Sequence, residues 1–531
     1  MSDESLREPT PEPATLSTLL ARAARSAAGE CGVWDVHRHL SWRALRAQAA
    51  NLAQALRAHG VEPGARVAFY LEPSVEQAVV LFGTAGAGAV AVPINPKLRD
   101  GQVAHVLQHS GARVVVTSRD KLAFLADPAA VFAGCTRVVA GSGGADDLAA
   151  WTQPHRDAAR LARTDVEPTA PAVLLYTSGS TGLPKGIVQD HRNLVDGARI
   201  VSAYLGLGSD DRILGVLPVS FDYGLNQLLD AAWLGCDVGL VTYFTRNDLV
   251  DAVERHAATV LAGVPPMWAA LGDGLRTGKV DARRLRTLRV VTNSGGRLHR
   301  REIATLRQAL PDVQVFSMYG LTEAFRSSFL PPDELDRRPD SIGKAIPEVE
   351  LLVVDPTTGA ECGPDEVGEL VHAGALVAQG YWRDPAATAR RFRPHPLDPR
   401  RGTAVFSGDL VRRDADGFLY FVARADAQLK VAGHRVAPDE IEVVLNAVPG
   451  VAQAVVVGLE DETRSDTRVI ACVQAAGAEA ELEARVQAAC KRALPAYMVP
   501  AEVRLVGGIP TGANGKPDRE ALRRQLAEER R

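Results

Sequence analysis

The sequence predicts an α/β protein with a large N-terminal domain and a smaller α+β domain at its C-terminal end. The chain has 531 residues, which is more than a single hydrophobic core usually organises. In its first two thirds, continuous apolar runs alternate with helical patterns, as a parallel sheet covered by helices on both faces requires. From about Asp355 the runs are short and are separated by Gly, Asp and Pro turns, which favours a small antiparallel sheet.

Hydrophobic periodicity indicates the individual elements. A helical pattern begins at Thr15, and a long amphipathic helix covers residues 40–56. The runs that we interpret as parallel strands begin at Arg66, Ala89, Arg113, Arg137, Arg212, Val238, Thr259 and Leu288. The expected antiparallel strands begin at Glu350, Gly368 and Gly417. The final segment, from about residue 427, has strands beginning at Ala454 and Val469 and helices over 438–447 and 480–494, so it predicts a separate α+β unit.

Composition excludes several classes of protein. The 60 Lys and Arg residues against 64 Asp and Glu residues give a net charge of −4, so no basic surface for nucleic acid is expected. The six cysteines include no close pair, which argues against a zinc site and fits a reducing compartment. The N-terminus lacks the features of a signal peptide, and the apolar stretch 78–94 is interrupted by glycine and proline, which favours a buried helix followed by a strand. We therefore expect a cytoplasmic protein with no membrane partner.

A loop at residues 176–186, Tyr-Thr-Ser-Gly-Ser-Thr-Gly-Leu-Pro-Lys-Gly, carries the chemistry of phosphate binding. Glycines let the backbone approach a phosphate, hydroxyl groups donate hydrogen bonds, and Lys185 supplies positive charge. The loop is not a Walker A motif, because no Ser or Thr follows the lysine. A flexible Ser/Gly linker is the alternative, but it would not place a lysine in such a run directly after an apolar strand.

This loop resembles the signature of the ANL superfamily of adenylate-forming enzymes, which includes acyl-CoA synthetases, firefly luciferase and the adenylation domains of nonribosomal peptide synthetases. Further motifs of that family follow in its order along essentially the whole chain. They are Tyr319-Gly-Leu-Thr-Glu, Ser407-Gly-Asp, the stretch Arg424-Ala-Asp-Ala-Gln-Leu-Lys-Val-Ala-Gly-His-Arg, and Asn514-Gly-Lys. Ala423 departs from the family's usual glycine, a small-for-small change.

The resemblance implies the domain boundaries and the nucleotide site. It implies a disordered N-terminus over 1–14, an AMP-binding adenylation domain over 15–425 made of parallel α/β subdomains and a small antiparallel β subdomain, and a small mobile domain over 426–531. ATP and Mg²⁺ are the implied cofactors, with Glu323 as the magnesium ligand and Thr322 at the α-phosphate. The other implied ATP and AMP ligands are Thr177, Ser178, Gly179, Ser180, Thr181, Gly182, Lys185, Gly295, Gly296, Tyr319, Gly320, Asp409 and Arg424.

The C-terminal motifs imply that one site serves two reactions in turn, formation of the adenylate and transfer of the acyl group to a thiol. Lys516 matches the lysine that bridges the substrate carboxylate and the phosphate during adenylation, although taken alone it would be interpreted as an ordinary exposed lysine. Asp426 matches the hinge about which the small domain rotates, and Gly433 lies where the family's thiol-bearing arm passes.

The segment Ser220-Phe-Asp-Tyr-Gly-Leu-Asn-Gln predicts an amino-acid substrate. Asp222 falls where amino-acid-activating members carry an Asp that pairs with the α-amino group; the alternative is an Asp that caps a helix starting at Tyr223. The same resemblance predicts that the substrate pocket is lined by Tyr223, Asn226, Gly263, Val291, Asn293, Met318, Arg326 and Ser327.

Large side chains in that set favour a small amino acid, but Arg326 leaves three interpretations open. It fills space beside a small neutral substrate, it binds a second carboxylate of an Asp-like or β-amino substrate, or it is held by an internal Glu or Asp. We favour the small neutral substrate, because Tyr223 and Met318 leave little room.

The predicted function is activation of a small amino acid as aminoacyl-AMP and its transfer to the phosphopantetheine thiol of a separate carrier protein. The alternative is an AMP-forming acyl-CoA ligase of a small carboxylic acid, since both classes share all of these motifs. A nucleotide sensor would lack Lys516 and Glu323, and a luciferase-like oxidase is distinguished by light emission.

Overall fold

The computed structural model describes residues 14–27, 29–144, 146–153, 166–178, 184–424, 429–431, 434–436, 438–461, 466–477, 481–494, 498–512 and 515–529. The first part of the chain, up to residue 204, forms a six-stranded sheet with helices around it. The order of the sheet is β6-β5-β3-β4-β7-β8, and only β8 runs antiparallel to its neighbour. The elements of this part of the chain are α1 (Leu16–Ser26), β1 (Gly32–Trp34), β2 (His39–Ser41), α2 (Trp42–Ala58), β3 (Arg66–Tyr70), α3 (Val75–Ala87), β4 (Val90–Pro93), α4 (Asp100–Ser110), β5 (Val114–Ser118), α5 (Arg119–Phe124), α6 (Pro128–Val131), β6 (Thr136–Ala140), α7 (Leu148–Thr152), β7 (Pro171–Ser178), β8 (Pro184–Asp190) and α8 (His191–Tyr204). Strands β1 and β2 belong to a second sheet.

The next part of the chain builds a nine-stranded sheet, ordered β15-β14-β13-β12-β11-β9-β10-β1-β2. Its six central strands, from β13 to β1, pair in parallel. The elements are β9 (Arg212–Gly215), α9 (Asp222–Leu234), β10 (Asp237–Leu240), α10 (Arg246–Arg255), β11 (Val260–Gly263), α11 (Pro265–Arg276), β12 (Val290–Asn293), α12 (Arg300–Ala309), β13 (Gln314–Tyr319), β14 (Ser328–Leu330) and β15 (Lys344–Ala345), with 3-10 turns at Ala282–Leu285 and Thr322–Ala324. One continuous hydrophobic core joins the two parallel sheets through α2, α3, α8 and α9.

The third part is a five-stranded antiparallel sheet in the order β16-β17-β19-β18, with β20 paired to β19. Its elements are β16 (Val349–Val354), β17 (Val367–Gly374), α13 (Pro385–Arg391), β18 (Phe392–Pro394), β19 (Thr403–Arg413) and β20 (Leu419–Arg424), with a 3-10 turn at Pro399–Arg401. In β16, β17 and β19 apolar residues of the two faces contribute to separate clusters, so this sheet is packed on both sides.

The C-terminal part has its own core. A two-stranded ribbon, β21 (Leu429–Val431) with β22 (His434–Val436), precedes the three-stranded sheet β23-β24-β25. The remaining elements are α14 (Pro438–Asn446), β23 (Val451–Asp461), β24 (Asp466–Ala475), α15 (Leu482–Ala493), β25 (Glu502–Leu505) and α16 (Arg519–Glu528). The helices α14 and α15 pack on one face of the sheet and α16 on the other.

The predicted fold class is confirmed, and each expected strand coincides with an observed one. The apolar stretch 78–94 is the second half of buried helix α3 followed by β4, as its glycines and proline indicate. None of the helices in the described parts of the chain has the length and apolar character needed to cross a membrane. Residues 1–13 lie outside the described residues, so the expected disorder there stays a prediction.

Candidate functional site

The two strands that flank the phosphate loop bring its ends together. Because β7 and β8 pair antiparallel, Thr177 lies opposite Lys185. The Lys185 ammonium is 3.7 Å from a carboxylate oxygen of Asp384, and its side chain is 29% exposed. The predicted ligands Gly179, Ser180, Thr181 and Gly182 and the side chain of Ser178 lie outside the described residues.

Helix α4 holds both ends of this loop through two histidines. His109 Nδ1 lies 2.9 Å from the Tyr176 hydroxyl, and His105 Nε2 lies 3.0 Å from the Pro184 carbonyl oxygen. Burial lowers the pKa of His109, and positive charge from its neighbours His105 and Arg383 lowers it further. His109 is therefore neutral near pH 7, and its unprotonated nitrogen can accept a hydrogen bond from the Tyr176 hydroxyl.

A second loop, from Tyr319 to Ser327, carries the residues expected at the phosphates. The amide of Gln189 donates a 2.6 Å hydrogen bond to the Thr322 carbonyl oxygen, and the Ala378 N–H donates to the Glu323 carbonyl at 2.9 Å. The loop then turns through Phe325, whose φ of +54° is uncommon for a residue with a side chain. A Cβ built on Gly197 of α8 would lie 2.5 Å from the Phe325 ring, so only glycine leaves room for that ring.

Glu323 is half-buried, and its Oε1 accepts a 2.6 Å hydrogen bond from the Tyr381 hydroxyl. Among the described residues no group of three His, Cys, Asp or Glu side chains could hold a metal ion. A single carboxylate fits Mg²⁺ that takes its remaining ligands from phosphates and water, which is how proteins commonly bind this ion together with nucleotides.

Tyr319, Asp409 and Arg424 form a polar cluster where the resemblance places the ribose. The Tyr319 hydroxyl donates to Asp409 Oδ2, and an Arg424 nitrogen lies 3.2 Å from Asp409 Oδ1. Pairing of β19 with β20 sets Asp409 directly opposite Arg424. Burial raises the pKa of Asp409, while the positive charge of Arg424 opposes that shift.

Lys516, on the C-terminal part of the chain, lies over this same cleft. Its charge acts on Asp409 and Asp222, and a Cβ built on Gly295 would lie 3.9 Å from the Lys516 Cε. Enclosure by protein lowers the pKa of Lys516, but the side chain keeps exposed surface, so water reaches the cleft and limits this effect. Gly295 has a φ of +79° in the turn after β12, and the amide of Asn293 donates to the Gly296 carbonyl at 2.8 Å.

Asp222 is the first residue of α9, and Phe221, not Asp222, occupies the N-cap position. The Asp222 side chain is 3% exposed, and its Oδ1 accepts a 3.4 Å hydrogen bond from the Thr322 hydroxyl. Burial raises the pKa of Asp222, and the positive charges of Arg326 and Lys516 oppose that shift. Asp222 is therefore not the N-cap of α9, although the Tyr223 backbone N–H also favours its charged form.

The face of α9 that begins at Asp222 borders a small cavity of about 20 Å³, the space of roughly one water molecule, although Asp222 itself is not among its lining residues. Tyr223, Asn226, Met318 and Arg326 line it, as the sequence predicts. The other lining residues are Val201, Leu205, Leu207, Ile213, Gln227, Asp230, Val260, Ala262 and Thr292.

Four predicted pocket residues are not part of this lining: Gly263, Val291, Asn293 and Ser327. On strand β12 the residue facing the cavity is Thr292, which hydrogen-bonds to the Tyr223 hydroxyl. Because successive side chains of a strand point to opposite faces, Val291 and Asn293 face away from Thr292. The Ser327 hydroxyl is 3.0 Å from Nδ1 of the buried His372, and Met267 and Trp268 occupy the space beside Gly263.

Arg326 is 1% exposed, and no carboxylate in the described parts of the chain lies within ion-pair distance of it. Its Nη1 donates to the Ser294 hydroxyl at 3.3 Å, whereas Nε and Nη2 have no hydrogen-bond partner. The interpretation in which an internal Glu or Asp holds this guanidinium directly is therefore not supported.

Asp230 is a cavity residue that the sequence analysis missed. It is 3% exposed; Oδ2 accepts a 2.8 Å hydrogen bond from the Asn226 amide, and Oδ1 has no partner of normal geometry. Burial raises the pKa of Asp230 well above its usual range, and the charge of Arg326 opposes this. The spacing Asp222, Asn226, Asp230 places all three on one face of a helix, so helical periodicity could have identified it.

The expected hinge Asp426 and thiol-access residue Gly433 lie outside the described residues.

Comparison with known proteins agrees with this architecture. Residues 20–382 match the AMP-binding enzyme family, and residues 440–516 match the AMP-binding enzyme C-terminal domain. The chain is 33% identical over 525 residues to phosphinothricin tripeptide synthetase PhsC of Streptomyces viridochromogenes, covering 97% of this chain and 45% of that protein. It is 31% identical over 495 residues to a dimodular nonribosomal peptide synthase of Bacillus subtilis, covering 91% of this chain and 20% of that protein.

The chain thus spans less than half the length of these curated relatives. Among solved structures, the anthranilate CoA ligase AuaEII in complex with anthranoyl-AMP has the same fold, with a TM-score of 0.87 at 24% identity, covering 97% of this chain and 98% of that one. The chain belongs to the AMP-binding enzymes, the ANL superfamily.

Proposed function

We propose that this ligase activates a small amino acid as aminoacyl-AMP and transfers the aminoacyl group to the phosphopantetheine thiol of a carrier protein. The observation that carries the amino-acid assignment is Asp222, a buried carboxylate with no cation at ion-pair distance among the described residues. An ionised carboxylate in such surroundings is costly unless a cation pairs with it. The ammonium group of a bound amino acid supplies that cation beside Thr322.

In the first half-reaction a substrate carboxylate oxygen attacks the α-phosphorus of ATP, and the bond to the pyrophosphate leaving group breaks. Such transfers depend on alignment and charge neutralisation. Lys516 lies near enough to Asp222 and Asp409 to stabilise negative charge between the substrate carboxylate and the phosphate. Glu323 would hold Mg²⁺, which when bound offsets negative charge on the phosphates.

The proposed nucleotide ligands lie on the strand pair β7–β8, in the 3-10 turn at Thr322–Ala324 and on the strand pair β19–β20. Thr177 and Lys185 flank the phosphate loop, Thr322 and Glu323 face the phosphates, and Asp409 accepts hydrogen bonds from the ribose. The positive charge of Arg424 favours the carboxylate form of Asp409 and so opposes the effect of burial on its pKa.

In the second half-reaction the thiolate sulfur attacks the acyl carbonyl carbon, and the bond to AMP breaks. Lys516 stands over the nucleotide cleft in the present arrangement, so the thiol requires a different orientation of the C-terminal domain. We assign that rotation to Asp426 and the thiol path to Gly433.

Two observations bear on the acceptor. The curated relatives are peptide synthetases, which supports a carrier protein. The structural neighbour AuaEII is a CoA ligase, so coenzyme A is the alternative acceptor, with a small carboxylic acid as substrate.

The small cavity on the Asp222 face of α9 supports a small substrate. Tyr223, Met318 and Arg326 fill most of the pocket and leave a volume of about 20 Å³. We therefore favour a small neutral amino acid over an Asp-like or β-amino diacid.

The decisive experiment is ATP–pyrophosphate exchange with wild-type protein across the proteinogenic and common β-amino acids. Each active amino acid is paired with its des-amino analogue as the control. Exchange that depends on the amino group supports the proposal, and equal exchange with the des-amino acid contradicts it. The product aminoacyl-AMP is then offered to a phosphopantetheinylated carrier protein and to coenzyme A in parallel, and thioester formed on each acceptor is measured by mass spectrometry.

A further inference from the structure

The Tyr381 hydroxyl contacts Glu323, the residue that we propose as the magnesium ligand. It donates a 2.6 Å hydrogen bond to Glu323 Oε1. A carboxylate oxygen is an acceptor, so the phenol hydroxyl is the donor in this pair. One oxygen of Glu323 is therefore occupied by the protein, and the carboxylate is restrained in rotation.

The backbone around Tyr381 is attached to the strand that leaves the phosphate loop. Residues 379–382 extend along β8: the Val188 N–H donates to the Gly380 carbonyl at 2.9 Å, and the Trp382 N–H donates to the Gly186 carbonyl at 2.7 Å. A β-bridge joins Tyr381 to Ile187. The phenol ring also meets the Phe392 ring edge to face, with ring centres 5.7 Å apart.

The face of the same ring lies beside the lysine of the phosphate loop. Lys185 Nζ is 5.5 Å from the centre of the Tyr381 ring, a distance at which an ammonium is attracted to an aromatic face. Tyr381 thus lies between the cation of the phosphate loop and the carboxylate of the Thr322–Ala324 turn. Neither motif contains it.

From this geometry we infer that Tyr381 is a positioning residue: it fixes the orientation of Glu323 so that the second carboxylate oxygen is directed to the divalent cation on the triphosphate. The inference rests on the proposed use of ATP with Mg²⁺. Carboxylate ligands of metals are commonly held by such hydrogen bonds, and losing one typically weakens metal binding ten- to a hundredfold.

The test measures cation binding without the reaction. Mn²⁺ replaces Mg²⁺ and is titrated by electron paramagnetic resonance into the full-length protein with a non-hydrolysable ATP analogue. Tyr381→Phe removes only the hydroxyl, and we expect it to raise the Mn²⁺ dissociation constant at least tenfold. Affinity for the analogue in EDTA should change less than twofold, because the hydroxyl acts through the metal ligand.

Tyr420→Phe is the matched control, since that hydroxyl donates to Asp414 at 3.1 Å on the antiparallel sheet. In a Glu323→Gln background, Tyr381→Phe should have no further effect on Mn²⁺ affinity. If Tyr381→Phe does not fold, Tyr381→Met is measured in its place, because it also lacks the donor.

An unchanged Mn²⁺ affinity in the Tyr381 variants overturns the inference, and so does an additive loss in the Glu323→Gln background. Failure of the wild-type protein to bind Mn²⁺ with the ATP analogue would instead contradict the proposed function, so the two failures are distinguishable.

Discussion

The Arg326 guanidinium lies over the Tyr223 ring, with its central carbon 4.8 Å from the ring centre. The stacking explains how a buried arginine persists beside the small cavity, since an aromatic face partly offsets the loss of hydration. Nε and Nη2 are left without hydrogen-bond partners. Substitution of Arg326 is therefore the most direct test of whether the substrate side chain carries a negative charge.

We expect wild-type protein to prefer alanine, glycine or serine over aspartate in pyrophosphate exchange, with 3-aminobutanoate tested alongside. Arg326→Ala should enlarge the pocket and broaden this preference, because it removes bulk and not a substrate partner. A wild-type preference for aspartate that disappears in the variant would establish the diacid alternative. Loss of a carboxylate partner costs about 2–5 kcal/mol, which is more than tenfold in affinity.

Lys516→Ala should reduce adenylate formation by about 10²–10³-fold, because removing one preorganised group that stabilises developing charge has effects of that order. Thioester formation from supplied aminoacyl-AMP should stay within about threefold of wild type, since we place Lys516 in only one domain orientation. Both half-reactions are measured separately, by pyrophosphate exchange and by single-turnover transfer. Adenylation at a near wild-type rate would show that Lys516 is not the bridging lysine.

Asp222→Ala should abolish amino-acid activation while leaving binding of the ATP analogue intact. Leaving a buried ammonium without its partner costs on the order of 3–5 kcal/mol, so exchange should fall more than a hundredfold. Binding of the ATP analogue is measured by calorimetry. Asp333→Ala, on the loop after β14, is the control. If Asp222→Ala keeps pyrophosphate exchange, a different carboxylate binds the substrate ammonium group, and Asp230 is the candidate.

Two buried histidines predict acid sensitivity of the fold. Burial lowers the pKa of His372 to about 3 and that of His191 to about 4, against about 6.5 in the unfolded chain. The unfolded state therefore binds more protons below pH 6.5, so their contribution is fully present above that pH and is lost as the pH falls toward 4.

At pH 5 each histidine should have lowered the free energy of unfolding by about 2 kcal/mol relative to pH 7.5. Urea unfolding of wild type and of His372→Gln at both pH values measures this, with the exposed His37→Gln as the control. An equal pH dependence in wild type and His372→Gln would contradict the assignment.

The local sequence pattern predicts most strands of the two parallel sheets, because strands that are covered by helices on both faces are continuous apolar runs. The strands that it missed have other causes. Segment Gln314–Tyr319 is a parallel strand, but it has polar residues among its apolar ones. Its last residue, Tyr319, also begins the Tyr-Gly-Leu-Thr-Glu motif. Strand β1 has only three residues, and its place in the sheet depends on pairing with β10, some 200 positions away in the chain.

Within the candidate site, too, local sequence patterns do not predict every residue. Among the described motif residues, Tyr319, Asp409 and Arg424 lie together. On β12 the sequence predicts Val291 and Asn293 for the pocket, whereas Thr292 lines the cavity, because a shift of one position exchanges the two faces of a strand. Asp230 and Tyr381 lie outside the motifs, and their roles depend on contacts between elements far apart in sequence. No local pattern encodes such contacts.

The turn from Thr322 to Arg326 has a consequence for anyone who wishes to retarget this enzyme. It attaches the pocket arginine to the metal carboxylate through only two intervening residues, one of them the strained Phe325 wedged against Gly197. Selection for a new substrate at Arg326 will therefore disturb turnover along with preference. Asn226 and Asp230 on helix α9 line the cavity without belonging to that turn, so libraries built at these two positions should change specificity with less effect on rate.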